Sequence, residues 1–311
     1  MKVAFLNLCH CEPEIVARVA NKLTKNPNFD MYIHVDAKKE IALFQTPLKG
    51  NDQVYFISNR QKVYWGGYNA ITATMELLKE ALKSSRKYEY FVVLQNLDYP
   101  IKSNQEIEKF FIQNQGTEFI RGCKIGRTKD WHYARKYKIF NKRDDEFYLM
   151  QHNKLRKYMH YAWLALRSVQ TIFFNGVIKE GNREFVLHYG TAQWAVTRKC
   201  AEYFVKFEAT HPKFNKCMQH IQFPDEEYFH TIVHNSEFKY HCVAYDEPVK
   251  RWLVNWRNLH YFEYPREVTV FDENDYKKIM DQDCLFCRKV KTKKSEKLMD
   301  LIDKATSKES A

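Results

Sequence analysis

Tyr90-Phe91-Val92-Val93-Leu94-Gln95 is apolar as far as Leu94 and leads into Asn96-Leu97-Asp98. A continuous apolar run of this length, rich in aromatic and β-branched residues, reads as a strand covered on both faces. Such strands sit inside parallel sheets. Upstream, Val3 to Leu8 reads as a first strand. Glu12 or Pro13 then opens a helix with Ile15, Val16, Val19, Ala20 and Leu23 on its apolar face. Met31 to Asp36 and Val54 to Ile57 are further strands, and Tyr68 to Leu82 is a helix rich in good formers. Strand and helix in alternation predict an α/β fold, a mainly parallel sheet flanked by helices. Ligands of such sheets gather beyond the carboxyl ends of the strands, here Asn7 to His10, His34 to Asp36 and Asn96 to Asp98.

Downstream, Asn104 to Asn114 reads as a helix and Glu118 to Arg121 as the centre of a strand. From Gly122 to Asn182 the composition turns to Lys, Arg, Tyr, His and Trp, with an aromatic-rich helical run near Lys154 to Phe174. This basic, aromatic-rich segment, 122–182, reads as an acceptor-side insertion in a single domain spanning 1–290; a solvated basic face is the cheaper interpretation. Patterning resumes with strands at Phe185-Val186-Leu187 and Gln193 to Val196, a helix from Arg198 to Glu208, and a strand from Tyr240 to Ala244. Residues 291–311 form a basic amphipathic tail with Leu298, Met299, Leu301 and Ile302 on one stripe. Three fates are open to it: contact with an anionic membrane, folding back on the domain, or fraying, which is the default for a terminus.

Lys and Arg outnumber Asp and Glu by 50 to 38, a formal charge of +12, so the expected partner is anionic: a nucleotide, nucleic acid or lipid surface. The first residues, Met1 to Leu8, are apolar for too short a run to be a signal peptide or membrane anchor. Eight cysteines in a long chain without an export signal are expected to stay reduced. Cys9-x-Cys11 and Cys284-x-x-Cys287 lie at opposite ends of the chain and lack the partner spacing of a zinc site. There is no GxGxxG, GxxxxGK[ST] or GxSxG, so dinucleotide, P-loop and nucleophile-elbow chemistry have no motif support. Sheet enzymes that use a sugar nucleotide through a metal place paired acids at a central strand end; Leu97-Asp98-Tyr99 offers one. Asp281-Gln282-Asp283 has the DxD letters but reads as surface.

Phe223-Pro224-Asp225-Glu226-Glu227-Tyr228 concentrates acids in a basic chain. Pro followed by carboxylates suits a first helical turn, and that alone accounts for it; a carboxylate at the rim of such a helix could also take a proton from a bound hydroxyl. Asp225 is expected to support the helix start and Glu227 to face solvent.

Several segments occur together in matching order: Lys62-Val63-Tyr64-Trp65-Gly66-Gly67-Tyr68, Leu97-Asp98-Tyr99-Pro100-Ile101-Lys102-Ser103-Asn104, Gly190-Thr191-Ala192-Gln193-Trp194, Pro224-Asp225-Glu226 with Thr231, and Leu285-Phe286-Cys287-Arg288-Lys289. From Met1 to about Lys291 the chain resembles the core-2/I-branching β-1,6-N-acetylglucosaminyltransferases, a family that also includes peptide O-xylosyltransferases. The resemblance implies a GT-A-like fold and an inverting transfer from UDP-N-acetylglucosamine, or UDP-xylose, to a glycan or lipid-linked glycan acceptor, with no divalent metal or other cofactor. It matches Glu226 to the catalytic base, and Arg251 and Lys289 to the basic pair that holds the donor pyrophosphate. His34, Asp36, Tyr64 and Asp98 fall on segments lining the nucleotide pocket. The missing anchor suggests a bacterial, cytoplasmic relative engaged in surface polysaccharide synthesis, with peripheral contact to the inner face of an anionic membrane and no nucleic-acid partner.

The residues allow the same chemistry. An attacking hydroxyl must lose a proton while charge builds on the departing diphosphate, and a carboxylate with fixed cations meets both needs. Arg offers a planar fork and Lys a compact charge, so the pair can stand in for a metal ion. Each residue also has a plainer reading: Lys289 as a surface lysine, Arg251 as a strand cap or a partner of Asp246 or Glu247. Trp131, Arg135, Lys136 and Tyr137 are candidate acceptor contacts, as is Trp194, for which core packing is the stronger reading. Two other classes remain open on residues alone: a glycosidase using Glu226 with another acid, and a basic nucleic-acid-binding protein.

Overall fold

A computed structural model describes residues 1–144, 154–245, 247–248 and 257–307. The first part of the chain runs β1 (Val3–Cys9), α1 (Pro13–Leu23), β2 (Phe29–Val35), α2 (Ala42–Gln45), β3 (Val54–Phe56), α3 (Asn69–Lys83) and β4 (Tyr90–Gln95). Next come β5 (Asp98–Pro100), α4 (Asn104–Gln113), β6 (Gly122–Lys124), α5 (Trp131–Lys138), α6 (Lys154–Ser168), β7 (Val177–Glu180), β8 (Arg183–Val186) and β9 (His188–Gly190). The remainder is β10 (Ala195–Thr197), α7 (Arg198–Thr210), α8 (Pro212–Met218), α9 (Tyr228–His234), β11 (His260–Phe262), α10 (Tyr276–Met280), β12 (Phe286–Arg288) and α11 (Glu296–Ser307).

The central sheet has the order β10-β4-β1-β2-β3, with β10 antiparallel and the rest parallel. Leu6 lies opposite Tyr32 on one side and Val93 on the other. Side chains alternate across the sheet, so Leu6, Phe91 and Val93 face the core built with α3 and α7. Phe5, Val92 and Leu94 face the core built with α1 and α11. Both faces are covered, as the unbroken run in β4 predicts, and the α/β, GT-A-like layering is present. A smaller sheet, β11-β12-β5, extends the carboxyl end of β4.

Several boundaries differ from expectation. Glu118 and Phe119 make isolated bridges, and the strand proper begins at Gly122. The Glu118 carboxylate accepts hydrogen bonds from the Thr197 amide and hydroxyl, tying the chain sideways to β10. The expected strand from Tyr240 to Ala244 is instead a 3-10 turn, Glu237–His241, started by the Ser236 side chain accepting from Phe238 N–H. The tail folds back: Leu298, Met299 and Ile302 are buried, while Leu301 stays 41% exposed. Burying three such side chains contributes several kcal/mol. Asp303 holds the helix in place through Lys22 at 2.8 Å, Arg18 at 2.7 Å and the Tyr99 hydroxyl. Neither fraying nor membrane contact by this stripe is compatible with that packing. No described helix is long and apolar enough to cross a membrane.

Candidate active site

The end of β2 is organised by an Asp-initiated turn. Asp36 accepts a hydrogen bond from Lys38 N–H at 2.9 Å, and its other oxygen lies 2.9 Å from the Lys38 ammonium. That ammonium sits 4.0 Å above the Tyr64 ring and donates to Val63 O. His34, 1% exposed, accepts from Gln61 N–H at Nε2, 2.8 Å away. Loss of water pushes its imidazole down to about 4, so at neutral pH it is uncharged with the proton on Nδ1. His34, Asp36 and Tyr64 therefore converge on one strand end.

Asp98 opens β5, fully buried. Burial alone would push its carboxyl up, but Arg288 at 2.7 Å, His260 at 3.2 Å and the Gln95 N–H hold it below the usual carboxylate range. Its place matches the expectation, while its partner is Arg288, which the sequence reading passed over despite its position next to Lys289. Arg288 is consumed by this pair. Lys289, the next residue, is half-buried, and among the described residues no carboxylate pairs with it. Loss of water, then the charge of Lys291, lowers its proton affinity, with a smaller opposing pull from Glu267 and a further lowering by Arg288. A cation crowded by cations is a ready partner for an anion. Arg251 lies outside the described residues.

The acidic stretch forms a 3-10 turn, Pro224–Glu226, and only then α9. Phe223 enters it in the left-handed region, φ 56°. The turn separates the two glutamates. Glu226 keeps 21% of its side chain exposed and lies 3.1 Å from the Lys136 ammonium; Glu227 is fully buried, 4.0 Å from the same ammonium. The solvent-facing Glu227 expected from the sequence is thus corrected: α9 packs its first residue into the core. Loss of water pushes the Glu227 carboxyl up to about 8, against the pull of Lys136. Asp225 is also pushed up, by loss of water and then by the charge on Glu226.

The Tyr64-Trp65-Gly66-Gly67 loop bridges the two regions. Trp65 meets Phe223 edge-on at 4.5 Å, while Tyr64 covers Lys38. Gly66 has φ +73°, and a Cβ there would stand 2.7 Å from Arg143 Nη1 and 2.8 Å from the Phe223 ring. Only glycine fits.

Helix α5 sorts the acceptor candidates by its period. Trp131, 58% exposed, and Arg135 lie on the outer side. Lys136 and Tyr137 turn inward, Lys136 to Glu226 and the Tyr137 hydroxyl to Ile125 O. Tyr137, 2% exposed, cannot meet an acceptor, and Lys136 reaches one only beside Glu226. Trp194, 1% exposed against Phe204 and Phe229, is core.

The family model described as Core-2/I-Branching enzyme matches residues 3–280. The chain belongs to that family. Among its relatives, Xylosyltransferase sqv-6 of Caenorhabditis elegans is 21% identical over 220 residues, 68% of this chain and 24% of that protein. Xylosyltransferase oxt of Drosophila melanogaster is 22% identical over 242 residues, 74% of this chain and 24% of its own length. The human beta-1,3-galactosyl-O-glycosyl-glycoprotein beta-1,6-N-acetylglucosaminyltransferase is 22% identical over 142 residues, 45% of this chain and 33% of that protein. The chain thus spans about a quarter to a third of the curated relatives it matches. For this Core-2/I-branching enzyme family member, Glu226 and the four pocket residues His34, Asp36, Tyr64 and Asp98 lie inside the matched region, and Lys289 just beyond it.

Proposed function

We propose that the chain is an inverting glycosyltransferase that moves a sugar from a UDP-sugar to a hydroxyl of a glycan or lipid-linked glycan. Glu226 takes the proton of the attacking hydroxyl as its oxygen bonds to the anomeric carbon. The bond from that carbon to the UDP oxygen breaks, and Lys289, with Arg251, neutralises the diphosphate. Lys136 orients the base. The observation that carries the reading is the charge arrangement at consecutive residues: Arg288 neutralised by Asp98, and Lys289 with no carboxylate in ion-pair contact among the described residues. Asp98, at the strand end where metal-using enzymes place acids, is already occupied by Arg288 and the Gln95 N–H, which supports a transfer without metal. UDP-N-acetylglucosamine follows from the sequence resemblance. The relatives' names favour testing UDP-xylose beside it. Bacterial surface polysaccharide synthesis at the cytoplasmic face of the membrane, without a nucleic-acid partner, is the proposed setting.

Calorimetry against a panel of UDP-sugars, followed by transfer assays with the donor that binds, tests the reading. Binding of one UDP-sugar with transfer to a hydroxyl acceptor is expected. Nucleotide-independent glycoside hydrolysis, or binding of random RNA without UDP binding, would replace it.

A further inference from the structure

Among the described residues, α6 and the turn after it present several large apolar side chains at the surface. On α6 and the turn after it, Leu155 is 68% exposed, Met159 59%, Leu166 71%, Val169 63%, Ile172 51% and Phe173 92%. Within α6, Leu155, Met159 and Leu166 recur at four and seven residues and so share one face, and Val169, Ile172 and Phe173 stand exposed in the turn that follows. The opposite face is anchored. Ser168 Oγ accepts from Phe140 N–H at 3.0 Å, Thr171 Oγ1 donates to Lys138 O at 2.8 Å, and Trp163 meets Phe140 edge-on. The turn carrying Phe173 is itself hydrogen-bonded, Ile172 N–H to Ser168 O at 2.8 Å and Phe174 N–H to Thr171 O at 2.9 Å. An apolar face held outward by ordered structure marks an interaction surface.

Charge selects the occupant. No acidic residue occurs from Lys154 to Lys179, while Lys154, Arg156, Lys157 and Arg167 lie in α6 itself. The chain as a whole carries +12. Apolar and aromatic side chains with cations and no acids match the boundary between anionic headgroups and acyl chains. α6 has 15 residues, too short to span and suited to lying in the surface. We infer that α6 and the following turn dock the protein on an anionic membrane surface, the apolar face in the lipid. The tail contact read from the sequence is thereby replaced by a different element. The inference itself stands apart from sugar transfer.

Full-length protein is sedimented with vesicles of phosphatidylcholine, with and without phosphatidylglycerol. Pelleting with the anionic vesicles, weakened by salt, is expected. The double variant Leu166→Glu, Phe173→Glu should lose binding by on the order of 10-fold or more, and Leu301→Glu on α11 should bind as wild type. Phe173→Ser provides a milder second variant, expected to weaken binding without adding charge. Equal pelleting with both vesicle types, no pelleting, or pelleting unchanged in the α6 variants overturns the inference. So does self-association through this face without lipid binding, read by light scattering.

Discussion

The Lys136 ammonium stands 3.1 Å from Glu226 Oε2, a contact that ties the helix of the basic segment to the acidic turn. The same ammonium lies 4.4 Å above the Tyr189 ring and 5.3 Å from the Phe223 ring. One cation thus serves an accessible carboxylate, a buried one and two aromatic faces, and its position is set by all of them.

Glu226→Gln keeps the shape and the contact with Lys136 but cannot accept a proton. Donor affinity by calorimetry should be retained while turnover falls about 10²- to 10⁴-fold. Unchanged turnover would remove Glu226 from the role of base.

Glu227 sets a pH dependence of stability. Its carboxyl rises from the ordinary 4.5 to about 8 in the folded protein. Below the ordinary value both states hold the proton and there is no penalty; as pH rises toward the folded value the unfolded chain releases its proton more readily. Stability therefore falls over that window and levels off above it, by on the order of a few kcal/mol. Glu227→Gln should flatten the slope in denaturant titrations run at both ends of the window. A slope unchanged in the variant would assign it elsewhere.

Neighbouring cations should separate cleanly. Lys289→Ala is expected to cost on the order of 3 kcal/mol in the transition state, seen in kcat/KM, with little change in melting temperature. Arg288→Ala leaves Asp98 buried with no charged partner but His260, beside the Gln95 N–H, and should destabilise the fold by about 3–5 kcal/mol. If the two variants behaved alike, the division of labour drawn from the Asp98 pair would fail.

Gly66→Ala meets both a left-handed backbone and the Phe223 ring, whereas Gly50→Ala meets a left-handed backbone with nothing within 4 Å. The strain common to both costs about 1 kcal/mol. The Gly66 variant should lose more stability than that and also lose transfer, because Trp65 and Phe223 move with it. Thermal melts and rates of the two variants side by side give the answer.

Transfer should persist in excess chelator, since the proposed countercharges for the diphosphate are side chains. Activity lost to chelator and regained with manganese would contradict the basic-pair account.

Residue order alone determined the layering: the unbroken run in β4, the helical period of α1 and α3 and their alternation leave few folds besides a covered parallel sheet, because local hydrophobic spacing dictates which faces must be buried. Short motifs such as Tyr64-Trp65-Gly66-Gly67 and Pro224-Asp225-Glu226 were legible for the same reason, their chemistry being contiguous. The rest depended on groups distant in sequence. Which of Glu226 and Glu227 meets water follows from a left-handed Phe223 and a 3-10 turn, and adjacent carboxylates look alike in a string of letters. Arg288 is distinguished from Lys289 by an aspartate 190 positions away. The apolar stripe of α11 lies in the core while that of α6 stands exposed among the described residues, because burial is decided by what the rest of the chain brings alongside.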